Sequence, residues 1–216
     1  MLRAGSALPW AGLAWHMGIT PQEFARMKSR LSGSRPAPLP VFQAASSPGA
    51  GLIILGIDPS LRGTGFGVIR STKPRPLLLA HGTILSRSNW TRSRCLVQIV
   101  QTLRDVIRHH HPTVCVVEGL FYAQNFRTAL IMGEARGASL VAVGEAGLEI
   151  YEIAARKVKQ AIVGYGAAQK TAVARMVQSL LHLSAAPEPD AADALALALT
   201  YAQENGRYSL GPRTRI

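Results

Sequence analysis

Cysteine is scarce in this chain. Its 216 residues include only Cys95 and Cys115, neither in a C-x-x-C or C-x-x-H setting. That argues against a disulfide scaffold and a zinc ribbon, and points to a reducing compartment, the cytoplasm. Acidic residues are scarce too: 12 Asp and Glu face 24 Lys and Arg, for a formal net charge of +12. A balance this basic favours a polyanionic partner, nucleic acid first and an anionic membrane surface second. Long apolar runs are missing as well. None reaches the roughly 18 residues needed to cross a bilayer, so no membrane-spanning segment is expected. The run His109, His110 and His111 is no substitute for a metal site, because adjacent side chains on a helix fan out and cannot converge on one ion. It reads as imidazoles at a helix C-terminus, near the negative end of the dipole.

What is present falls into three parts. Residues 1–50 hold one acid, Glu23, against five basic residues. The stretch "SGSRPAPLPVFQAASSPGAG" has the composition of linker or disorder. An Arg- and Ser-rich, acid-poor leader also resembles an organelle transit peptide, and a start codon placed too far upstream would give a similar prefix. From residue 51 to about 205 the pattern is orderly. Apolar runs at Leu52–Ile57, Gly65–Arg70 and Leu77–Leu85 read as three strands, the last two joined by the turn-forming "STKPRP". Arg94–His111 has helical periodicity in Leu96, Ile99, Val100, Leu103, Val106 and Ile107. "PTVCVVEG" is another buried strand, followed by a helix at Phe126–Gly144, a strand "LEIYEI", and helices at Ala154–Val163, Gln169–Leu181 and Asp190–Glu204. A meander followed by β-α-β and further helices makes an α/β domain with a mixed sheet. "GRYSLGPRTRI", 206–216, reads as a flexible basic tail that adds electrostatic affinity for DNA.

The few acids are informatively placed. Asp58 and Glu118 sit at the ends of the two most apolar strands. Asp190 and Asp193 open the helix "DAADALALAL" and, spaced i and i+3, share one face of it. Each has an ordinary structural use. Asp190 could cap the helix, Asp193 suits the positive end of its dipole, and Asp58 before Pro59 could start a turn. Together they suggest more, because open α/β sheets bind ligands outside the carboxyl ends of their strands. Four crowded carboxylates repel, and hard divalent cations with oxygen ligands, Mg²⁺ above all, relieve that. Two such ions about 3.5–4 Å apart stabilise both the attacking water and the leaving oxygen of a phosphodiester. A basic chain with this cluster is a candidate nuclease.

The segments "ILGIDPSLRGTGFGVI", "VVEGLFYAQNFRTALIMGEARG", "YEIAARKVKQAIVGYGAAQK" and "PDAADALALAL" resemble, in order and spacing, the RuvC family of crossover junction endodeoxyribonucleases. The similarity runs from about Leu52 to Ala202. The resemblance implies a ribonuclease H-like fold, a mixed five-stranded sheet flanked by helices. It implies a homodimer that nicks two strands of a four-way (Holliday) junction symmetrically in recombination and repair, with Mg²⁺ as cofactor, two ions per site. It places Asp58, Glu118, Asp190 and Asp193 on the family's metal-binding positions. Phe121 falls on an aromatic that inserts at the junction centre. Lys159 and Lys170 fall on basic positions near the scissile phosphate. The RuvA–RuvB branch-migration machinery is the implied partner. Residues 1–50 depart from the family, which starts almost at its first strand.

The residues themselves allow other uses. An aromatic in a polar loop can stack on an unpaired base or merely anchor the loop. Lys159 and Lys170, with Arg156, Lys157 and Arg175, form a dense basic stretch that could be a solvated face, though "GYG" between the lysines lets backbone approach phosphate. Gly133 and Gly137 would admit a second helix, from the protein's own fold or from a second copy. Two other functions compete with junction cleavage. An actin-like or sugar-kinase ATPase would use "GIDPSLRGTG" as a phosphate loop, but needs a second domain for which there is no room. A non-cleaving junction binder would keep the basic surface but has no use for four acids beside DNA.

Overall fold

The structure, a computed structural model, describes residues 22, 51–119, 125–206 and 214–216. The chain divides into two units, 1–41 and 42–216, and the architecture below is that of the second. Its strands are β1 (Ile53–Asp58), β2 (Gly63–Arg70), β3 (Leu77–Leu85), β4 (Val114–Glu118), β5 (Glu149–Ile153) and β6 (Thr214–Arg215). Its helices are α1 (Arg92–His110), α2 (Phe126–Glu145), α3 (Ala155–Val163), α4 (Lys170–Leu181) and α5 (Pro189–Gly206). The sheet order is β3-β2-β1-β4-β5-β6. β1 pairs antiparallel with β2 and parallel with β4, and β4 pairs parallel with β5.

The expected five-stranded sheet gains a sixth strand. Thr214 and Arg215 pair antiparallel with Glu152 and Tyr151, and Arg215 reaches Glu149 at 3.0 Å. Part of the segment expected to be a loose basic tail is therefore an edge strand. Two residues are too short for any periodicity to announce it.

Both faces of the sheet are covered, which is why β1 and β4 are continuous apolar runs rather than alternating ones. Ile54, Val114, Val116 and Ile153 face one side and pack with Val158, Val173 and Leu197 from α3, α4 and α5. Leu55, Ile57, Cys115 and Val117 face the other and pack with Ile99 and Leu103 of α1 and Val143 of α2. Strand parity then assigns the acids. Asp58 and Glu118 follow Ile54 and Val114 by even steps, so both point to the α5 side.

α5 lies unusually close to the sheet, and glycine is the reason. Gly56 and Gly67 are cross-strand partners, and Gly65 is the partner of Asp58. A Cβ on Gly56 would stand 2.0 Å from the carbonyl oxygen of Ala194, and one on Gly65 would stand 1.9 Å from that of Asp190. Any side chain there would push the helix off. The helix answers with Ala191, Ala194 and Ala198, all buried, so backbone meets backbone and the first turn of α5 is delivered to the ends of β1 and β4. α1 ends as expected: Arg108, His109 and His110 fill its last turn, and His111 caps it in the left-handed conformation, φ 48°.

Candidate active site

The turn after β1 is built to hold its strand end. The Thr64 hydroxyl, fully buried, donates to the Ser60 carbonyl and accepts from the Ser60 N–H at 3.2 Å. Arg62 reaches back to α1, donating to the Trp90 carbonyl at 3.1 Å and to Cys95 Sγ at 3.3 Å. Asp58 thus ends a strand fixed on both sides. β1 and β4 run in register through Ile57 and Val117, so Asp58 and Glu118, the next residues, are neighbours across parallel strands. α5 begins at Pro189, whose missing N–H costs nothing at that position. Asp190 therefore lies in the first turn rather than at the cap expected for it. Its carboxylate lies over Gly63, where a Cβ would come within 2.7 Å of Oδ2.

These residues share one cleft of about 300 Å³, lined by Asp58, Glu118, Asp190, Asp193, Lys159 and Lys170, with Ser60, Val158 and Leu197 among its other walls. All four acids and both lysines singled out in the sequence are brought together. Phe121 lies outside the described residues.

The charges are in visible conflict. Burial raises the Asp58 pKa from 3.8 to about 8, reinforced by the charge of Glu118, a hydrogen bond to its carboxyl and the charge of Asp193. The charged form of Asp58 is thus opposed both by burial and by its acidic neighbours. Lys170 supplies positive charge, its Nζ 3.1 Å from Asp193 Oδ2. Burial works against that ammonium, but Asp193, Asp58 and Asp190 outweigh it and raise its pKa.

A hard cation suits this site in its chemistry. The acidic donors are all oxygen, they outnumber the local lysines, and their mutual repulsion raises the pKa of Asp58. Among the described residues, no three His, Cys, Asp or Glu side chains are gathered tightly enough to hold an ion as they stand. The ammonium of Lys170, against Asp193, supplies the positive charge described above.

Two contributors escaped the sequence reading. Gly63, Gly65 and Gly67 of β2 could have been noticed as an every-other-residue run, but their use, like that of Gly56 in β1, depends on register. Arg136 is a lone cation in the largely apolar run "TALIMGEARGASLVAV". It is 6% exposed, donates to the Glu118 carbonyl and pairs with Glu152.

The comparisons agree with this geometry. A family model described as crossover junction endodeoxyribonuclease RuvC matches residues 54–201. The RuvC protein of Shewanella amazonensis is 44% identical over 165 residues, 76% of this chain and 95% of its own. That of Coxiella burnetii is 47% identical over 150 residues, 69% and 87%. The solved T. thermophilus RuvC in complex with a Holliday junction substrate superposes with a TM-score of 0.69 at 32% identity, covering 76% of this chain and 99% of that one. The yeast mitochondrial Holliday junction resolvase Ydc2, at 10% identity and a TM-score of 0.52, shares the fold. With a ribonuclease H-like core and a match of this extent, the chain belongs to the RuvC family of crossover junction endodeoxyribonucleases.

Proposed function

We propose that this protein is a metal-dependent endonuclease that resolves four-way DNA junctions, acting as a homodimer. One observation carries the reading: four acids from three separate segments, and two lysines, line a single cleft on a chain of net charge +12. Asp58, Glu118, Asp190 and Asp193 would hold Mg²⁺, two ions in a full site, and when bound these would activate water and stabilise the leaving oxygen. The chain's own contribution is placement. The strand ends fix Asp58 and Glu118, the glycine contact fixes Asp190 and Asp193, and Lys159 and Lys170 offer ammonium groups to the phosphate on the cleft's open side. A binding protein that never cuts would gain nothing from four acids gathered in one cleft beside DNA.

A second copy has a surface to meet. Phe126, Leu130 and Val141 of α2 are exposed, and added Cβ atoms on Gly133, Gly137 and Gly144 would touch nothing within 4 Å. Spaced by three and four, these six lie on one helix face. Two copies related by a twofold axis would present two clefts to opposite strands, as symmetric cleavage requires. Phe121 would stack at the junction centre, and delivery by RuvA–RuvB is the reading taken from the family. Among the described residues no helix is long and apolar enough to cross a membrane. Cys95 and Cys115 are buried free thiols, which suits a reducing cytoplasm. The deciding assay is nicking of a synthetic four-way junction, with product strands mapped, in Mg²⁺ and in EDTA. Symmetric nicks in Mg²⁺ alone are expected; binding without nicking in either would leave the non-cleaving alternative.

A further inference from the structure

Arg136 belongs to none of the roles above, yet its surroundings are demanding. It projects from α2 among Ala135, Ser139, Ala142 and Val143, all buried. A guanidinium in such a place is costly unless its donors are met. Both ends of its fork are engaged. Nη1 donates to the backbone carbonyl of Glu118 and Nη2 to the carboxylate of Glu152.

The location of that carbonyl matters. The β4–β5 pairing ends at Glu118 opposite Ile153, and Gly119 makes a last hydrogen bond to the Ile153 carbonyl at 2.9 Å. The Glu118–Gly119 peptide is the last one that β5 holds, through its N–H. Its side chain faces the cleft, while α2 covers the opposite face of the sheet. Arg136 therefore grips from behind the peptide whose rotation would swing the Glu118 carboxylate. Glu152 also packs on the next residue: a Cβ on Gly119 would stand 3.1 Å from its Oε1 and 3.3 Å from its Cγ.

We propose that Arg136, anchored by Glu152, is a positioning residue that locks the end of β4 so that Glu118 is held ready to bind metal. This rests on Glu118 being a metal ligand, as proposed above. Groups that orient ligands typically contribute about 10–100-fold to metal affinity.

The test uses the full chain with Arg136→Lys, which keeps the charge but not the fork, and with Arg136→Met/Glu152→Gln, which removes the buried guanidinium and its half-buried partner charge together. Mg²⁺ affinity is read by calorimetry and junction affinity in EDTA, with Glu118→Gln as the reference. Both Arg136 variants are expected to melt cooperatively, to bind the junction like the parent protein and to bind Mg²⁺ about tenfold more weakly. A folded Arg136 variant with parental Mg²⁺ affinity would overturn the proposal. So would failure of both to fold, which would assign Arg136 to folding alone. Parental affinity in Glu118→Gln would instead remove the metal-site reading itself, whatever the Arg136 variants do.

Discussion

The carboxyl groups of Asp58 and Glu118 stand side by side at the ends of two parallel strands, and each opposes the other's charge. Nothing in folding calls for two acids at the mouth of an apolar sheet, and the protein carries the pair at a cost. The chemistry expected of the cleft explains why it is retained.

That cost is measurable against pH. The folded state raises the Asp58 pKa from 3.8 to about 8, so it binds this proton more tightly than the unfolded chain does. The associated stability is fully present below about pH 4 and is lost as pH rises toward 8. In EDTA, Asp58→Asn should melt higher than the parent protein at pH 8 and differ little at pH 4. For a chain of this size each 1 kcal/mol recovered is about 2–4 °C. Mg²⁺ should stabilise the parent at pH 8 and leave the variant nearly unmoved. Scanning calorimetry at the two pH values decides it; a parallel pH dependence in both proteins would contradict the account. The variant should also keep junction binding and lose nicking, since a neutral amide cannot hold the cation.

Two kinds of glycine should respond in opposite ways. At Gly65 a methyl group would meet the Asp190 carbonyl oxygen at 1.9 Å, so Gly65→Ala should cost more than the roughly 1–3 kcal/mol usual for overpacking, or prevent folding. At Gly133 there is open space, and Gly133→Ala should stabilise the monomer by up to about 1 kcal/mol through helix propensity. If α2 docks on a second copy, the same change should weaken the dimer. Urea denaturation and sedimentation velocity read the two effects, and a dimer indifferent to Gly133→Ala and Gly137→Ala together would move the interface elsewhere.

The lysines should be told apart from ordinary surface charge by salt. Lys170 is exposed and Lys159 half-buried, both on the cleft. Replacing either with Ala should slow nicking and reduce the slope of log affinity against log salt by about 1. An unchanged slope would return that lysine to the solvated surface.

Phe121→Ala should weaken cleavage of four-way junctions while leaving duplex binding nearly intact, because stacking on an unpaired base is worth roughly 1–3 kcal/mol. Comparable losses on junction and duplex would make it a loop anchor.

Much of the site could be read before any coordinates. Apolar runs that each end in one acid declared two buried strands, and the i, i+3 spacing put Asp190 and Asp193 together. Those are local patterns. What escaped was pairwise and distant. Gly56 matters because Gly67 lies opposite it, with Ala194 above the one and Leu195 above the other, a relation only register reveals. Arg136 finds Glu152 16 residues away across the end of a sheet, with no periodicity to betray it. The edge strand Thr214–Arg215 is defined wholly by its partner β5.

The backbone-to-backbone seam between α5 and the glycines of β1 and β2 has a bearing on how DNA is received. At Gly56 and Gly65 no side chain is there to yield, so the acids behave as a fixed anvil. The lysines stand on α3 and α4, off that seam, Lys159 half-buried and Lys170 exposed. On the proposed function, adjustment to DNA falls to the lysines rather than to the acids.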